Sequence, residues 1–334
     1  MTSRVARIDA GLVGRIAVAA AMFGVFAVTN DNFMSSGNAY AILQSVAFTG
    51  LIALGLGMTM ITGELDLSVG SVAAVAGIVA VRFADLGLIP VLLLVLAGGA
   101  VFGAVQGFLI ARMRVNSLVF TIGTLIAVRG LAYIVAGNTS VPLDFELFGL
   151  SDQIVQRHWI FSPFSLLTIG AFVVGGLFLS YVRYGREIYA VGGGRLESRA
   201  AGVAQIRPIV IVFTCSAGLA SLAGGLASIA SGGASPFGFD AVLLSAVTAA
   251  LIGGVSLYGG KGDVLGIFVG MLTLQFLLTG LSSRGVAYYV QNMAVGGLLL
   301  AFLVFEYVGH ARPETRGLRG RLRAAVVRSG AGAG

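Results

Sequence analysis

Two carboxylates, Glu64 and Asp66, interrupt a chain whose apolar runs otherwise have the composition of membrane helices. A charged side chain at the bilayer centre costs roughly 2.5–3.5 kcal/mol, so such residues usually face protein, water or solute. Gly63 and Gly70 flank the pair and predict that the helix is interrupted here. At membrane depth such a break must be buried in protein or line a water-filled cavity. Two interpretations are open and compatible. Asp66 or Ser68 caps the next helix while Glu64 extends to the headgroups, or the break lines a pathway for a polyhydroxylated solute.

Further polar side chains lie inside apolar runs. We expect most of them to hydrogen-bond to neighbouring helices and a minority to contact solute. Arg129 is expected either to face the helix bundle or to reach the outer surface. The candidate pathway residues are Glu64, Asp66, Ser68, Gln106, Thr121, Thr124, Arg129, Gln291 and Asn292.

The sequence offers no pattern for catalysis or metal binding. His158 and His310 are isolated, and no Ser/His/Asp or Cys/His grouping can be assembled. The segment around Lys261 superficially resembles a phosphate loop, but Gly262 follows the lysine where Ser or Thr would hold magnesium. Asp263 is instead expected to cap the helix that follows. Asn116 and Ser162 are likewise candidate N-caps at two other helix starts. We therefore expect no cofactor on this chain, and any use of ATP requires another subunit.

The composition indicates an all-α, polytopic membrane protein, because 57% of the residues are hydrophobic, 10% are charged and 50 of 334 are glycine. The chain has a single cysteine, Cys215, so it cannot contain a disulfide framework. About ten spanning helices are predicted within one transmembrane domain over 1–334. They are expected at 12–29, 39–61, 69–84, 88–111, 116–137, 163–182, 207–230, 240–257, 263–281 and 287–308.

The basic residues set the predicted orientation and argue against nucleic-acid binding, since they cluster in short segments between apolar runs. With a cytoplasmic N-terminus, the segments around Arg112, Arg183–Arg207 and Lys261 and the tail 312–334 all lie inside. Both termini are thus expected in the cytoplasm. The basic tail is expected to be solvated or to bind anionic membrane lipid. The external loop 138–161 is a candidate docking surface for an extracytoplasmic partner.

Small residues recur at every fourth position in two predicted helices. Gly99, Gly103 and Gly107 form one stripe, and Gly262, Gly266 and Gly270 form the other. Such spacing allows close helix packing in lipid. The stripes fall at matching places in predicted helices 2–5 and 7–10, which have opposite orientations. This indicates an inverted repeat, an architecture that transporters use, although glycine-rich helices also show such spacing by chance.

Three motifs resemble those of a known family. They are ITGELDLSVGS at 61–71, YGREIYAVGGG at 184–194 with AAGV at 200–203, and ALIGGVSLYGGKGDVLGIFVG at 250–270. In this order they resemble the permease subunits of ribose/xylose/galactoside-type (monosaccharide) ATP-binding-cassette (ABC) importers. The resemblance extends over residues 35–308.

The resemblance implies a permease in the bacterial inner membrane that works with other subunits. Its expected partners are two cytoplasmic ATPase subunits, which hold ATP and Mg²⁺, a second permease copy or paralogue, and an extracytoplasmic solute-binding protein. The loop matching Gly185–Val203 resembles the family's ATPase-coupling helix, although Gly194 replaces the usual asparagine. The coupling residues that this implies are Gly185, Arg186, Ala190, Gly192, Gly193, Arg195, Glu197, Arg199 and Gly202.

The function implied is import of a monosaccharide or similar solute by alternating access, with ATP hydrolysis on the partner subunits. One alternative is a proton-coupled secondary transporter that uses Glu64 or Asp66 as its proton site. Another is a channel or membrane scaffold. The sequence does not identify the solute, and it leaves homodimer and heterodimer equally open.

Overall fold

The computed structural model describes residues 10–304 and 307, and this part of the chain is almost entirely helical. The tail 312–334 and His310 lie outside the described residues. The helices are α1 (Ala10–Thr29), α2 (Ser36–Ile61), α3 (Val69–Arg82), α4 (Leu88–Met113), α5 (Ser117–Ala136), α6 (Phe148–Val155), α7 (Pro163–Tyr181), α8 (Arg183–Gly193), α9 (Arg195–Ala200), α10 (Ile206–Ala230), α11 (Asp240–Ile252), α12 (Val264–Ser282) and α13 (Tyr288–Val304). Strands β1 (Val141–Pro142) and β2 (Gly233–Ala234) pair antiparallel, with Val141 opposite Ala234.

Seven of the ten predicted spans are helices that are long and apolar enough to cross a membrane, namely α1, α2, α4, α5, α7, α10 and α12. The other three predicted spans are the shorter apolar helices α3, α11 and α13. The helix expected at 240–257 ends at Ile252, because Gly253 and Gly254 follow and Gly254 has a left-handed φ of 78°. The prediction of an all-α, polytopic membrane protein is confirmed.

Several helix starts follow from polar caps that the sequence predicts. Asn116 accepts the Leu118 N–H at 2.9 Å at the start of α5. Asp263 accepts the Gly266 N–H at 2.5 Å at the start of α12. Ser162 begins α7 with a reciprocal capping box, in which its side chain and that of the third helical residue each bind the other's backbone N–H. These three caps are therefore confirmed.

The core lies around α10, which packs against α2, α3 and α4. The stripe of Gly99, Gly103 and Gly107 on α4 faces α10 and allows this approach. A Cβ atom added at Gly103 would lie 2.2 Å from the carbonyl oxygen of Phe213. Only glycine fits at that distance, so the close packing expected from the stripe is present.

In the pattern of helix contacts, the first helix of each half packs against helices of the other half, as an inverted repeat would produce. In such a repeat α2–α5 correspond to α10–α13, and α10 packs on α3 and α4 while α2 packs on α11 and α12. The two glycine stripes have non-equivalent partners, however. Gly266 and Gly270 of α12 face Gly253 and Ala249 at the end of α11, rather than α2. The helix contacts, and not the stripes, support the repeat.

Segments distant in sequence meet at one end of the bundle, which we call the basic end. It contains the break 62–68, the α4–α5 turn, the α8–α9 segment (residues 183–203) and the α11–α12 loop (residues 253–263). The other end, called the hairpin end, contains the β1–β2 pair and α6, where Ser151 donates to the Ala230 carbonyl at 2.9 Å.

Candidate functional site

Asp66 is the centre of a buried polar cluster at the start of α3. It accepts hydrogen bonds from the Ser68 hydroxyl at 2.6 Å, the Gln106 amide at 3.1 Å and the Ser216 hydroxyl at 2.8 Å. We call these four residues the Asp66 cluster. A buried carboxylate is stable only when its oxygens have such donors. The cluster therefore fixes the break between α2 and α3 to α4 and α10.

The contacts of the cluster bear on both interpretations of the break. Asp66 also accepts the backbone N–H of Ser68 at 3.1 Å, a local turn that precedes α3. Ser68 occupies the N-cap position, but its side chain makes no capping bond. Asp66 and Ser68 have no exposed surface. In this conformation the cluster is closed to solute.

The break also holds the first turn of α5. The backbone N–H of Leu65 donates to the Ser117 hydroxyl at 3.2 Å, and the Thr121 hydroxyl donates to the Leu65 carbonyl at 3.1 Å. Thr124, one turn further along α5, bonds back to the Thr121 carbonyl at 3.1 Å. Arg129 follows on the same helix and is half-buried. Movement of the break would therefore act directly on α5.

Glu64 lies apart from the Asp66 cluster and pairs with the α8–α9 segment. The Arg195 guanidinium donates a hydrogen bond to its carboxylate. The Glu64 side chain is 3% exposed and that of Arg195 is 49% exposed, so Glu64 does not extend to the headgroups as one interpretation expected. The Gln205 amide donates to the Arg195 carbonyl and anchors the other side of the arginine.

The three motifs that carry the family resemblance meet in a contact made of glycines. The Gly260 N–H donates to the Ile61 carbonyl at 2.8 Å. Gly63, Gly259 and Gly260 adopt left-handed φ values of 77°, 82° and 72°. A Cβ atom at Gly192 would lie 1.9 Å from the Ile61 oxygen. We call Gly63, Gly192, Gly193, Gly259 and Gly260 the glycine junction, because backbone there packs directly on backbone.

The α8–α9 segment is anchored on one side and exposed on the other. The Tyr189 hydroxyl donates to the Gly262 carbonyl at 2.9 Å. Burial and the nearby Asp263 raise the pKa of Tyr189 to about 12, so the phenol remains a donor at neutral pH. On α9, Leu196 is 80% exposed. Glu197 and Arg199 are also exposed.

The remaining predicted coupling residues shape this segment. A Cβ atom at Gly185 would lie 2.4 Å from the Leu179 carbonyl oxygen. Arg186 donates to the Tyr181 carbonyl at 3.2 Å, and the Ala190 carbonyl accepts the Gly194 N–H at 3.3 Å. Gly202 has a left-handed φ of 80° and ends the turn after α9. These residues set the turns at the two ends of the segment.

Gln291 and Asn292 lie far from the Asp66 cluster. They stand in the first turn of α13, after α12 has run for 19 residues away from the basic end, about 28 Å at 1.5 Å per residue. The Gln291 amide donates to the nearby Val286 carbonyl at 2.8 Å, and Asn292 is exposed. The structure therefore does not bring these two residues together with the rest of the predicted set.

The sequence reasoning missed three residues of this site. Ser216 lies inside an apolar helix and carries no local signal. Gly55 faces it, and a Cβ there would lie 2.7 Å from the Ser216 Cα, so glycine allows Ser216 to reach Asp66. Leu196 could have been noticed as an isolated apolar residue among charges.

Within the described ranges, no group of three or more His, Cys, Asp or Glu side chains could hold a metal ion.

Seven apolar helices long enough to cross a membrane, within the part of the chain that the structure describes, define a multi-pass membrane protein. Residues 38–303 match the family described as "Branched-chain amino acid transport system / permease component", and the chain belongs to this family of transport permeases, which are not enzymes.

Several curated relatives cover most of the chain. The ribose import permease protein RbsC of Escherichia coli K12 is 31% identical over 290 residues, or 85% of this chain and 90% of the relative. The L-arabinose transport system permease protein AraH of the same strain is 30% identical over 298 residues, covering 88% and 89%. The L-arabinose ABC transporter permease protein AraH of Azospirillum brasilense is 32% identical over 299 residues, covering 88% and 86%. No solved structure matches the chain.

Proposed function

We propose that the chain is the transmembrane permease of an ABC importer that carries a monosaccharide into the cytoplasm. The printed names of the relatives support a pentose or similar sugar. The chemistry of the site agrees with a neutral solute. The ammonium group of a zwitterionic amino acid needs a free carboxylate, whereas Glu64 is engaged by Arg195 and Asp66 by its cluster.

The observation that carries the proposal is the ion pair between Glu64 and Arg195. It joins the segment that resembles an ATPase-coupling helix to the break between α2 and α3. Leu65, the next residue, bonds to α5, and Asp66 bonds to α4 and α10. Movement of α8 and α9 by closing ATPase subunits would thus be transmitted to the helices around the pathway. This is the physical connection that alternating access requires.

The orientation and partners follow from the same arrangement. The basic end would face the cytoplasm, as the positive-inside rule expects, and α9 would dock in an ATPase subunit. Two such ATPase subunits would serve a pair of permeases, formed with a second copy or a paralogue. The hairpin end, with α6 and the loop 138–161, would receive the solute-binding protein in a bacterial inner membrane.

The pathway would run along α5, the helix that the break controls. Thr124 and Arg129 would face it, with Gln291 and Asn292 near its mouth at the hairpin end. Thr121, Ser68 and Gln106 would support it from behind, since their side chains are buried and bonded within the chain. Asp66 would act as the fixed point about which the break moves.

Proton-coupled transport is the less favoured candidate. A proton site must exchange protons with water during each cycle. Asp66 has no exposed surface and accepts bonds from three side chains, and Glu64 is held by an arginine. Both carboxylates are thus already engaged by partners within the protein.

The test is transport by the complete system in proteoliposomes. The permease, its ATPase and its binding protein are reconstituted, and uptake of labelled ribose, arabinose and galactose is measured together with ATP hydrolysis. We expect uptake that requires ATP, is unaffected by a protonophore, and is accompanied by faster hydrolysis when the binding protein carries its sugar. Uptake lost to the protonophore at constant ATP would establish the secondary transporter instead. Hydrolysis that no sugar stimulates would overturn the importer.

A further inference from the structure

A second feature of the basic end lies outside the site described above. A groove of about 540 Å³ opens between α1, the end of α11 with its following loop, and α13. Its walls are mainly apolar, with Val18, Leu251, Ile252, Val255 and Phe302 among the lining residues. The lining thus comes from three spanning elements, and its composition is that of a surface that contacts hydrocarbon.

Two cations stand at this groove. Arg15 donates to the Gly253 carbonyl at 2.7 Å and to the Asp263 carboxylate at 2.9 Å, so its charge is partly compensated. Lys261 is exposed and, within the described part of the chain, makes no ion pair. Two positive charges against one negative charge leave the groove with an excess of one. An anion is therefore favoured at this place.

The groove is open because glycine occupies the middle of its α1 wall. Gly14 and Val18 line it at a spacing of one helical turn. A Cβ atom added at Gly14 would meet nothing within 4 Å. A larger side chain could thus fill the groove without striking the protein. This makes the space between α1 and α13 accessible to a narrow, flexible chain.

We propose that this groove binds one acidic phospholipid, with its phosphate at Lys261 and Arg15 and an acyl chain along Gly14 and Val18. Lys261 lies in the α11–α12 loop and Arg15 near the start of α1, where spanning segments meet the headgroups. Basic pockets between spanning helices suit acidic headgroups, and a zwitterionic lipid is disfavoured because its own cation accompanies the phosphate. Free phosphate would leave the apolar walls unfilled. The proposal is independent of the transported solute.

The experiment is native mass spectrometry of the full-length permease, purified in detergent and incubated with phosphatidylglycerol or phosphatidylcholine. We expect one phosphatidylglycerol per permease copy, bound in preference to phosphatidylcholine. Lys261→Gln should lower the apparent affinity about fivefold, since one basic residue near an anionic surface contributes about 1 kcal/mol. Gly14→Leu should lower it as well, because the leucine fills the space of the acyl chain while both cations remain.

Two matched variants serve as controls. Gly24→Leu adds the same side chain to the same helix, again at a position where a Cβ would meet nothing within 4 Å, but outside the groove. Arg112→Gln removes an exposed cation at the basic end, on α4, that does not line the groove. Both should bind phosphatidylglycerol as the unaltered protein does.

Each other outcome overturns the proposal. Equal binding of the two lipids, or equal loss in Arg112→Gln and Lys261→Gln, would show non-specific attraction. Displacement of phosphatidylglycerol by glycerol 3-phosphate, with Gly14→Leu unaffected, would show a site for a soluble phosphate. A changed fraction of dimer in Gly14→Leu, with lipid binding intact, would show that a second copy of the chain covers the groove.

Discussion

The hydroxyl of Ser216 donates a hydrogen bond to the Asp66 carboxylate at 2.8 Å and joins the interior of α10 to the break before α3. The serine reaches this carboxylate because Gly55 on α2 allows α10 to approach closely. One carboxylate thereby connects the break to the helix around which the core lies. The Asp66 cluster is therefore expected to determine the stability of the whole domain.

Asp66→Ala should destabilise the protein strongly. The change removes the acceptor that Ser68, Gln106 and Ser216 share, and Ser68 and Gln106 keep only their mutual hydrogen bond at 3.2 Å. Each buried donor left unsatisfied costs about 1–3 kcal/mol. Ser216→Ala removes one donor and should cost about 1 kcal/mol. Thermal unfolding in detergent, followed by size-exclusion chromatography, measures both. Asp85→Ala, at an exposed carboxylate in the turn before α4, is the control. Equal melting temperatures for the Asp66 and Asp85 variants would contradict the role of the cluster.

Gly192→Ala and Gly193→Ala should differ sharply although the residues are neighbours. A Cβ atom at Gly192 would lie 1.9 Å from the Ile61 oxygen and 2.6 Å from the Gly260 nitrogen, so the glycine junction must open. A Cβ atom at Gly193 would meet nothing within 4 Å. The first variant should lose transport and melt at lower temperature. The second should be as stable as the original, or more stable by up to about 1 kcal/mol, because alanine favours helix. Similar behaviour of the two would show that the junction is loosely packed.

Leu196→Ser should weaken the association with the ATPase while leaving the permease folded. Leu196 is 80% exposed on α9, so its loss removes no internal packing. An apolar residue buried at the centre of an interface often contributes 1 kcal/mol or more, about a fivefold to tenfold change in affinity. Charge reversal at Glu197 or Arg199 should likewise weaken the association with the ATPase. Co-purification of a tagged ATPase measures it, and Leu86→Ser, at a 54% exposed leucine in the turn before α4, is the control. Undiminished co-purification would exclude α9 as the docking element.

The sequence predicts local features of this fold well and long-range contacts poorly. The caps at Asn116, Ser162 and Asp263 depend on residues within three positions, and all three are present. The hydrogen bond between Ile61 and Gly260 joins residues that no local pattern relates. The family resemblance identified the motifs that carry these residues, but only the folded chain brings them together.

The candidate site shows the same contrast between local features, which the sequence predicts, and long-range contacts, which it does not. The two carboxylates of the break are recognisable because charge is rare in apolar runs, yet their separate partners are not. Ser216 is a small polar residue within an apolar helix, where such residues commonly bond to their own backbone. Gln291 and Asn292 share the composition of pathway residues, but the length of α12 places them at the other end of the bundle.

The ion pair between Glu64 and Arg195 should couple sugar binding to ATP hydrolysis. Glu64→Gln and Arg195→Gln should each lower the stimulation of hydrolysis by the sugar-loaded binding protein, with basal hydrolysis retained. Arg195→Gln should have the larger effect, since it leaves a carboxylate that is 3% exposed without its cation. Arg183→Gln is the matched control, because Arg183 pairs with Glu187 within α8 and is 81% exposed.

The double variant Glu64→Gln, Arg195→Gln distinguishes coupling from general damage. If the two residues act through their mutual bond, the double variant should be no worse than Arg195→Gln alone, because the second change removes nothing further. It should even recover part of the stability, since the unpaired buried charge is gone. Stimulated and basal hydrolysis are measured for the reconstituted complex with each variant, which completes the double-mutant cycle. Thermal unfolding measures the stability of each variant. Additive losses, or a loss of the same size in Arg183→Gln, would show that the pair does not transmit movement from α8 and α9 to the break.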